Sequence, residues 1–247
     1  MSRPYLSLEN NTIDAQVEDL CALKEHLGID EPWVVVGNSW GAALAQIYAI
    51  RHPEHIRHLV LAAVTFADQV EARAFMEPGF ASRVYPDRFE FYTDRIPAGE
   101  RGEGYAEAYY RRVFSSDSEQ SLDAIQGWAL WNFSLLVLDM DTKTMEKVRR
   151  KPEAFEALAK LFFHYYKNEY SISERSHIWP HLDVLRRLPV AIVHGRYDMI
   201  APLENAYELH KELPRSTLSI VPANAHYSLE TKFSACLIDR LDEIALR

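Results

Sequence analysis

The sequence predicts an α/β architecture, a mostly parallel sheet with flanking helices into which a helical lid is inserted. Three observations carry this. Apolar, mostly β-branched runs at 33–36, 59–64, 190–193 and 218–221 are too short for helices and read as buried strands between helical patterns. The first run passes directly into Gly37-Asn38-Ser39-Trp40-Gly41 and then Ala42-Ala43-Leu44, a strand, a G-x-S-x-G turn and a helix. From about Phe66 to Leu182 strand patterns vanish, and aromatics recur at helical spacing, as in Trp128 with Trp131 and Phe155, Leu158, Phe162 with Tyr165 or Tyr166. The expected organisation is a core of 1–65 and 183–247 and a cap of 66–182.

Taken in order, the first eleven residues are polar and without period. Asn11 or Thr12 can cap a helix whose apolar face is Ile13, Val17, Leu20, Leu23 and Leu27, with Gly28 positioned to end it. Trp33-Val34-Val35-Val36 is a strand of the kind buried on both faces. In the turn that follows, Gly37 and Gly41 are expected to permit close approach of strand and helix, pushing Ser39 Oγ above the sheet. The N–H of Trp40 then lies at a helix N-terminus, where an anionic oxygen is stabilised. The helix runs to about His52, and Pro53 stops it. Leu59–Val64 is the second strand and Val190–Val193 the third, with Gly195-Arg196-Tyr197-Asp198 as its loop. Pro202 is expected as a first helical residue. Leu218–Val221 is the fourth strand, 222–227 a loop, and about 231–246 a last amphipathic helix.

Bulk composition excludes several classes. With 247 residues, 48% hydrophobic and 26% charged, the chain suits one domain, or a core domain with an insertion. Its 27 basic and 36 acidic side chains leave a formal charge of −9, with no basic stripe for nucleic acid. Two cysteines, Cys21 and Cys236, imply no disulfide framework and fit a reducing, cytoplasmic setting. No apolar run opens the sequence and none is long enough to span a bilayer, so no membrane association is expected. There is no H-E-x-x-H and no paired cysteines, so neither metal nor cofactor is expected.

A serine nucleophile needs a base, and the base needs a carboxylate to hold its tautomer. In a strand–elbow–helix protein of this kind the acid and then the histidine follow the serine, on loops at the carboxyl ends of strands. His226 lies in such a loop, whereas His210 lies within a helical pattern and reads as a packing residue. The other histidines, His52, His55 and His58 among them, carry no expected chemistry. Asp198 follows the third strand and is favoured as the acid. Its competing reading is a cap of the next helix, and Asp68, after the second strand, is the alternative acid.

The chain resembles the proline iminopeptidases, serine aminopeptidases of the α/β-hydrolase fold. The resemblance is carried by Ser7-Leu8-Glu9-Asn10-Asn11-Thr12, Glu25-His26-Leu27-Gly28-Ile29, the elbow (where the family writes G-G-S-W-G), Tyr85-Pro86-Asp87, Trp128-x-x-Trp131, Val193-His194-Gly195-Arg196-Tyr197-Asp198 and Ala225-His226. It implies Ser39 as nucleophile, Asp198 as acid, His226 as base and Trp40 as an oxyanion donor. It further implies a small peptide or acyl amide or ester as substrate, with Trp128, Trp131, Asn132, Phe162 and Tyr165 as lid residues that touch it.

Two departures qualify what the resemblance implies. The family holds the substrate's terminal ammonium with lid glutamates, in W-x-x-W-E and A-R-I-E-x-H-Y. Here those places are Asn132 and Phe162. A buried ammonium without a carboxylate is disfavoured, so an esterase or amidase for a neutral acyl group is the alternative, unless Glu169 or Glu174 takes over. The family also opens with further strands and an H-G-G-P-G segment that completes its oxyanion hole. No two of the nine glycines here are adjacent. The expectation is that the first strands of the fold are missing. The chain would then be the C-terminal part of the fold or a non-catalytic remnant, prone to self-association through the exposed edge of the 33–36 strand.

Overall fold

A computed structural model of the chain describes residues 5–170, 177–227 and 229–246. The chain divides into two compact units, Asn10–Glu71 with Ser171–Arg247, and Ala72–Tyr170 with Met1–Glu9. Of the described residues in the expected 66–182 insertion, 66–71 and 177–182 group with the sheet.

In the sheet unit, α1 (Ile13–His26) begins at Thr12, whose Oγ1 accepts from the Ala15 N–H at 3.1 Å, and Gly28 follows it in the left-handed region at φ 63°. Strand β1 (Trp33–Asn38) leads to α2 (Trp40–Arg51), and β2 spans Ile56–Ala62. A third helix, α3 (Gln69–Met76), crosses the boundary between the units.

The helical unit contains α4 (Phe80–Val84), α5 (Pro86–Thr93), α6 (Tyr105–Val113), α7 (Ser118–Leu136), α8 (Thr142–Arg150) and α9 (Glu156–Asn168). Its core is aromatic. Tyr92 and Tyr109 stack at 4.3 Å, and Tyr109 donates its hydroxyl hydrogen to the Tyr92 carbonyl. Among the described residues this unit has no strand.

Back in the sheet unit follow α10 (Leu182–Leu185), β3 (Val190–Gly195), α11 (Leu203–Glu212), β4 (Ser216–Val221) and α12 (Thr231–Ala245). The four strands are parallel in the order β1-β2-β3-β4. Side chains alternate between the two faces. Val34, Val60, Ala62, Ala191, Val193 and Val221 meet Phe233, Leu237, Leu241 and Ile244 of α12. Residues of the opposite parity, Leu59, Leu61 and Ile192, are fully buried on the other face.

Three local expectations are corrected. β1 is not buried on both faces: β2 is its one partner among the described residues, and Val36 is 47% exposed. β2 begins three residues before the apolar run, because Ile56 and His58 pair with Trp33 and Val34 of β1, with Arg57 taken up by an irregularity between them. Pro202 is the N-cap of α11 with extended ψ of 144°, not a helical residue. No helix among the described residues is long and apolar enough to cross a membrane.

Candidate active site

The site is built where the parallel strands end. Ser39 follows β1 with φ 53° and ψ −120°, a conformation that costs an L residue of order 1–3 kcal/mol and holds only when its surroundings enforce it. Two contacts enforce it here. The Ser39 N–H donates to the Ala62 carbonyl at the end of β2, at 2.9 Å, and the Ser39 carbonyl accepts from the Ala42 N–H at 2.8 Å. The close approach of strand and helix depends on Gly37, where a Cβ would lie 2.2 Å from the Gly41 carbonyl oxygen. Gly41, expected to share that role, does not: a Cβ there meets nothing within 4 Å.

His226 and Asp198 arrive on the loops after β4 and β3. These loops are laced together. The Arg196 N–H donates to Val221 and the Tyr197 N–H to Asn224. A Cβ at Gly195 would lie 1.9 Å from the Ala225 carbonyl oxygen, so only glycine lets the chain pass one residue before His226. Ala223, in the same loop, also has a left-handed φ of 50°.

The result is a continuous relay. Ser39 Oγ lies 2.7 Å from His226 Nε2, and His226 Nδ1 lies 2.7 Å from Asp198 Oδ2. A hydroxyl that donates to Nε2 requires the Nδ1 tautomer, which then donates to the carboxylate. Asp198 does not cap α11, whose N-cap is Pro202 without a side-chain cap bond; its oxygens divide between the loop and the imidazole. Oδ1 accepts from the N–H groups of Ile200 and Ala201, at 3.0 and 2.9 Å, while Oδ2 faces the imidazole. Burial alone would raise this carboxyl. The charge His226 carries when its ring is protonated, with hydrogen bonds from His194 and His226, outweighs that and holds it well below the usual carboxylate range.

His194, within the Val193–Asp198 motif, is a further participant. Its Nδ1 accepts from the Val64 N–H at 3.1 Å, so the proton is on Nε2, which faces the Ala201 carbonyl at 2.9 Å and Asp198 Oδ2 at 3.4 Å. A histidine inside a fully buried strand, four residues before the acid, was the available signal. Asp68, the alternative acid, directs Oδ1 to the Glu71 N–H of α3. His210 pairs with Ser216 Oγ at 2.7 Å, away from the relay. Trp40 opens α2 directly after Ser39, and its indole donates to Gln16.

The remaining candidates lie in the helical unit. Trp131 is buried; its indole N–H donates to the Phe75 carbonyl at 2.8 Å and its ring packs on Phe89 and Tyr92, so it serves as a core residue there. Trp128 is equally buried against Phe162 and Phe163. Phe162 and Asn132 are partly exposed, and Phe162 also meets Phe75. Burial, followed by the charge of Glu169, pushes the Tyr165 phenol up to about 12. Glu174 lies outside the described residues.

Residues 2–233 match the alpha/beta hydrolase fold family. The chain is 35% identical over 237 residues to the proline iminopeptidase of Arabidopsis thaliana, covering 96% of this chain and 62% of that protein. It is 34% identical over 241 residues to a probable proline iminopeptidase of Leptolyngbya boryana, covering 98% of this chain and 74% of that protein. Among solved structures, a meta-cleavage product hydrolase is similar in fold, with a TM-score of 0.58 at 17% identity over the whole chain and 76% of its own.

Proposed function

Because the chain belongs to the proline iminopeptidase family of the α/β-hydrolase fold, we propose that it is a serine hydrolase that transfers an acyl group to Ser39 Oγ and then to water. The single observation that carries this reading is the unbroken relay from Ser39 Oγ through His226 to Asp198, both links 2.7 Å long. His226 Nε2 takes the hydroxyl proton as Oγ attacks the carbonyl carbon. The Nδ1 proton stays on the ring, stabilised by the carboxylate of Asp198, which remains ionised throughout. Oxygen charge that develops in the tetrahedral intermediate is met at the N-terminus of α2, where the Trp40 N–H is the assigned donor. Collapse of the intermediate returns the proton from Nε2 to the leaving amine or alcohol. Water, deprotonated by the same nitrogen, then releases the acid and restores Ser39.

The substrate suggested by the relatives is an N-terminal prolyl-type amide. A second reading, a neutral apolar acyl amide or ester, is favoured by Phe162, which packs among Phe75, Trp128, Phe163 and Tyr170 where the family's motif has a glutamate. A fluorophosphonate tests the chemistry common to both. It should label Ser39 and no other serine, and Ser39→Ala should remove labelling while leaving thermal unfolding cooperative. Absence of labelling in the folded wild-type chain would favour a non-catalytic remnant and overturn the reading.

A further inference from the structure

Cys21, His52 and His55 converge in the sheet unit although nothing in their spacing announces it. Cys21 lies on α1, His52 closes α2, and His55 ends a 3-10 turn (Pro53–His55) that feeds β2. The Cys21 sulfur and one ring nitrogen from each histidine all lie within 4.8 Å of one another. The two imidazoles stack with centroids 5.0 Å apart and planes 11° apart. Glu54 reaches over both, its Oε1 3.5 Å from His52 Nδ1 and 3.7 Å from His55 Nε2. All three donors are partly exposed, so an ion from solvent can reach them.

From this arrangement we infer that Cys21, His52 and His55 form a binding site for a divalent metal ion of the zinc class, with the Glu54 carboxylate or water as fourth ligand. One thiolate and two imidazoles suit zinc and its neighbours, and not magnesium or calcium, which take oxygen ligands. Zn–S of about 2.3 Å and Zn–N of about 2.0 Å put ligand atoms roughly 3.3–3.7 Å apart in a tetrahedron. Side-chain shifts on the order of 1 Å therefore close the site.

The surroundings support an ion. Tyr48 Oη lies 2.8 Å from His55 Nδ1. When that nitrogen carries the proton and donates to the phenol oxygen, Nε2 presents its lone pair outward, the arrangement by which a partner outside the ligand set orients a metal-bound histidine. Glu54 and Glu18 place negative charge around the thiol. The ammonium of Lys24, the nearby cation, is turned to the carbonyls of Ile29 and Asp30. The site lies at the opposite end of the sheet from the relay. His55 precedes the first residue of β2, whereas Ser39 is bonded to the last, and seven strand residues span about 20 Å. An ion there would clip α1 to the α2–β2 connection and stabilise the folded chain in proportion to its occupancy.

The test is a Co²⁺ titration of the full chain at mildly alkaline pH, with Zn²⁺ as competitor. The expected result is a thiolate-to-cobalt charge-transfer band that saturates at one equivalent and is displaced by Zn²⁺. It should vanish in Cys21→Ser and persist in Cys236→Ser. Tyr48→Phe should weaken binding about tenfold, and His52→Gln or His55→Gln by at least as much. No band, or one that survives Cys21→Ser, overturns the inference. A second measurement needs no variant: Zn²⁺ should protect Cys21 from iodoacetamide in the wild-type chain while Cys236 alkylation is unchanged, read by peptide mass. Equal alkylation of Cys21 with and without Zn²⁺ overturns it equally.

Discussion

Replacing Glu71 with glutamine should change how the stability of this protein depends on pH. The Glu71 carboxyl accepts from Thr65 Oγ1 at 2.5 Å and from the Phe66 N–H at 2.8 Å on one oxygen, and from Asn205 on the other. It ties the loop after β2 to α11. Burial, reinforced by the charge of Asp68, raises it from 4.5 to about 7 against those hydrogen bonds. A carboxyl raised on folding stabilises the folded state while it is protonated. Its contribution is complete below about pH 4.5 and is lost as the pH rises through about 7. At about 1.36 kcal/mol per pH unit the interval corresponds to about 3 kcal/mol. Glu71 retains some solvent contact, which lowers the expected loss to about 2 kcal/mol. Glutamine does not titrate, yet it can preserve the network. Its amide oxygen can accept from Phe66 and Thr65, and its nitrogen can donate to Asn205 once that amide turns over. Urea unfolding of both proteins at about pH 5 and about pH 8 measures the effect. Between the two conditions the wild type should lose about 2 kcal/mol relative to Glu71→Gln. A difference that does not move with pH, or that favours the wild type at the higher pH, refutes the reasoning.

Other perturbations probe the site and the sheet. His226→Ala should cut activity nearly as far as Ser39→Ala, because members of such a relay act as a unit, whereas His210→Ala should stay near wild type; comparable losses in steady-state rates would undo the choice of base. Gly37→Ala should destabilise by at least about 2 kcal/mol, since its Cβ would lie 2.2 Å from backbone. Gly41→Ala should leave Tm unchanged or slightly higher, and differential calorimetry that ranks the two the other way would sink the packing argument. On a matched pair of blocked and free-amine prolyl arylamides, kcat/KM for the blocked form should be at least equal; a strong free-amine preference would assign the ammonium to an acid such as Glu169. The chain by itself should self-associate through β1, whose outer edge has no partner strand among the described residues; a monodisperse monomer in size-exclusion chromatography with light scattering would refute this.

Features that depend on neighbours in the chain are legible in the amino-acid order. The β1 run, the G-x-S-x-G turn and the start of α2 are contiguous, so steric demands between Gly37 and Ala42 are written in adjacent letters. Helix ends at Thr12, Gly28 and Pro53 are legible for the same reason. Chain order also singles out Ser39, Asp198 and His226 as positions. The hydrogen bonds between them join residues 187 and 28 positions apart, and those exist only once β1, β3 and β4 are aligned. The tertiary structure alone decided that Asp198 serves a loop with one oxygen and an imidazole with the other. It alone decided that His194 holds its proton on Nε2, and that Gly37, not Gly41, bears the close contact. It likewise decided that Trp131 packs as core: a W-x-x-W spacing marks one face of α7, but which surface that face meets depends on α3 and α5. The Cys21–His52–His55 cluster is the extreme case. Its donors come from a helix, a cap and a turn that share no pattern. Side-chain chemistry becomes a site only when separate backbones bring the atoms within bonding distance, and no local rule of sequence measures that distance.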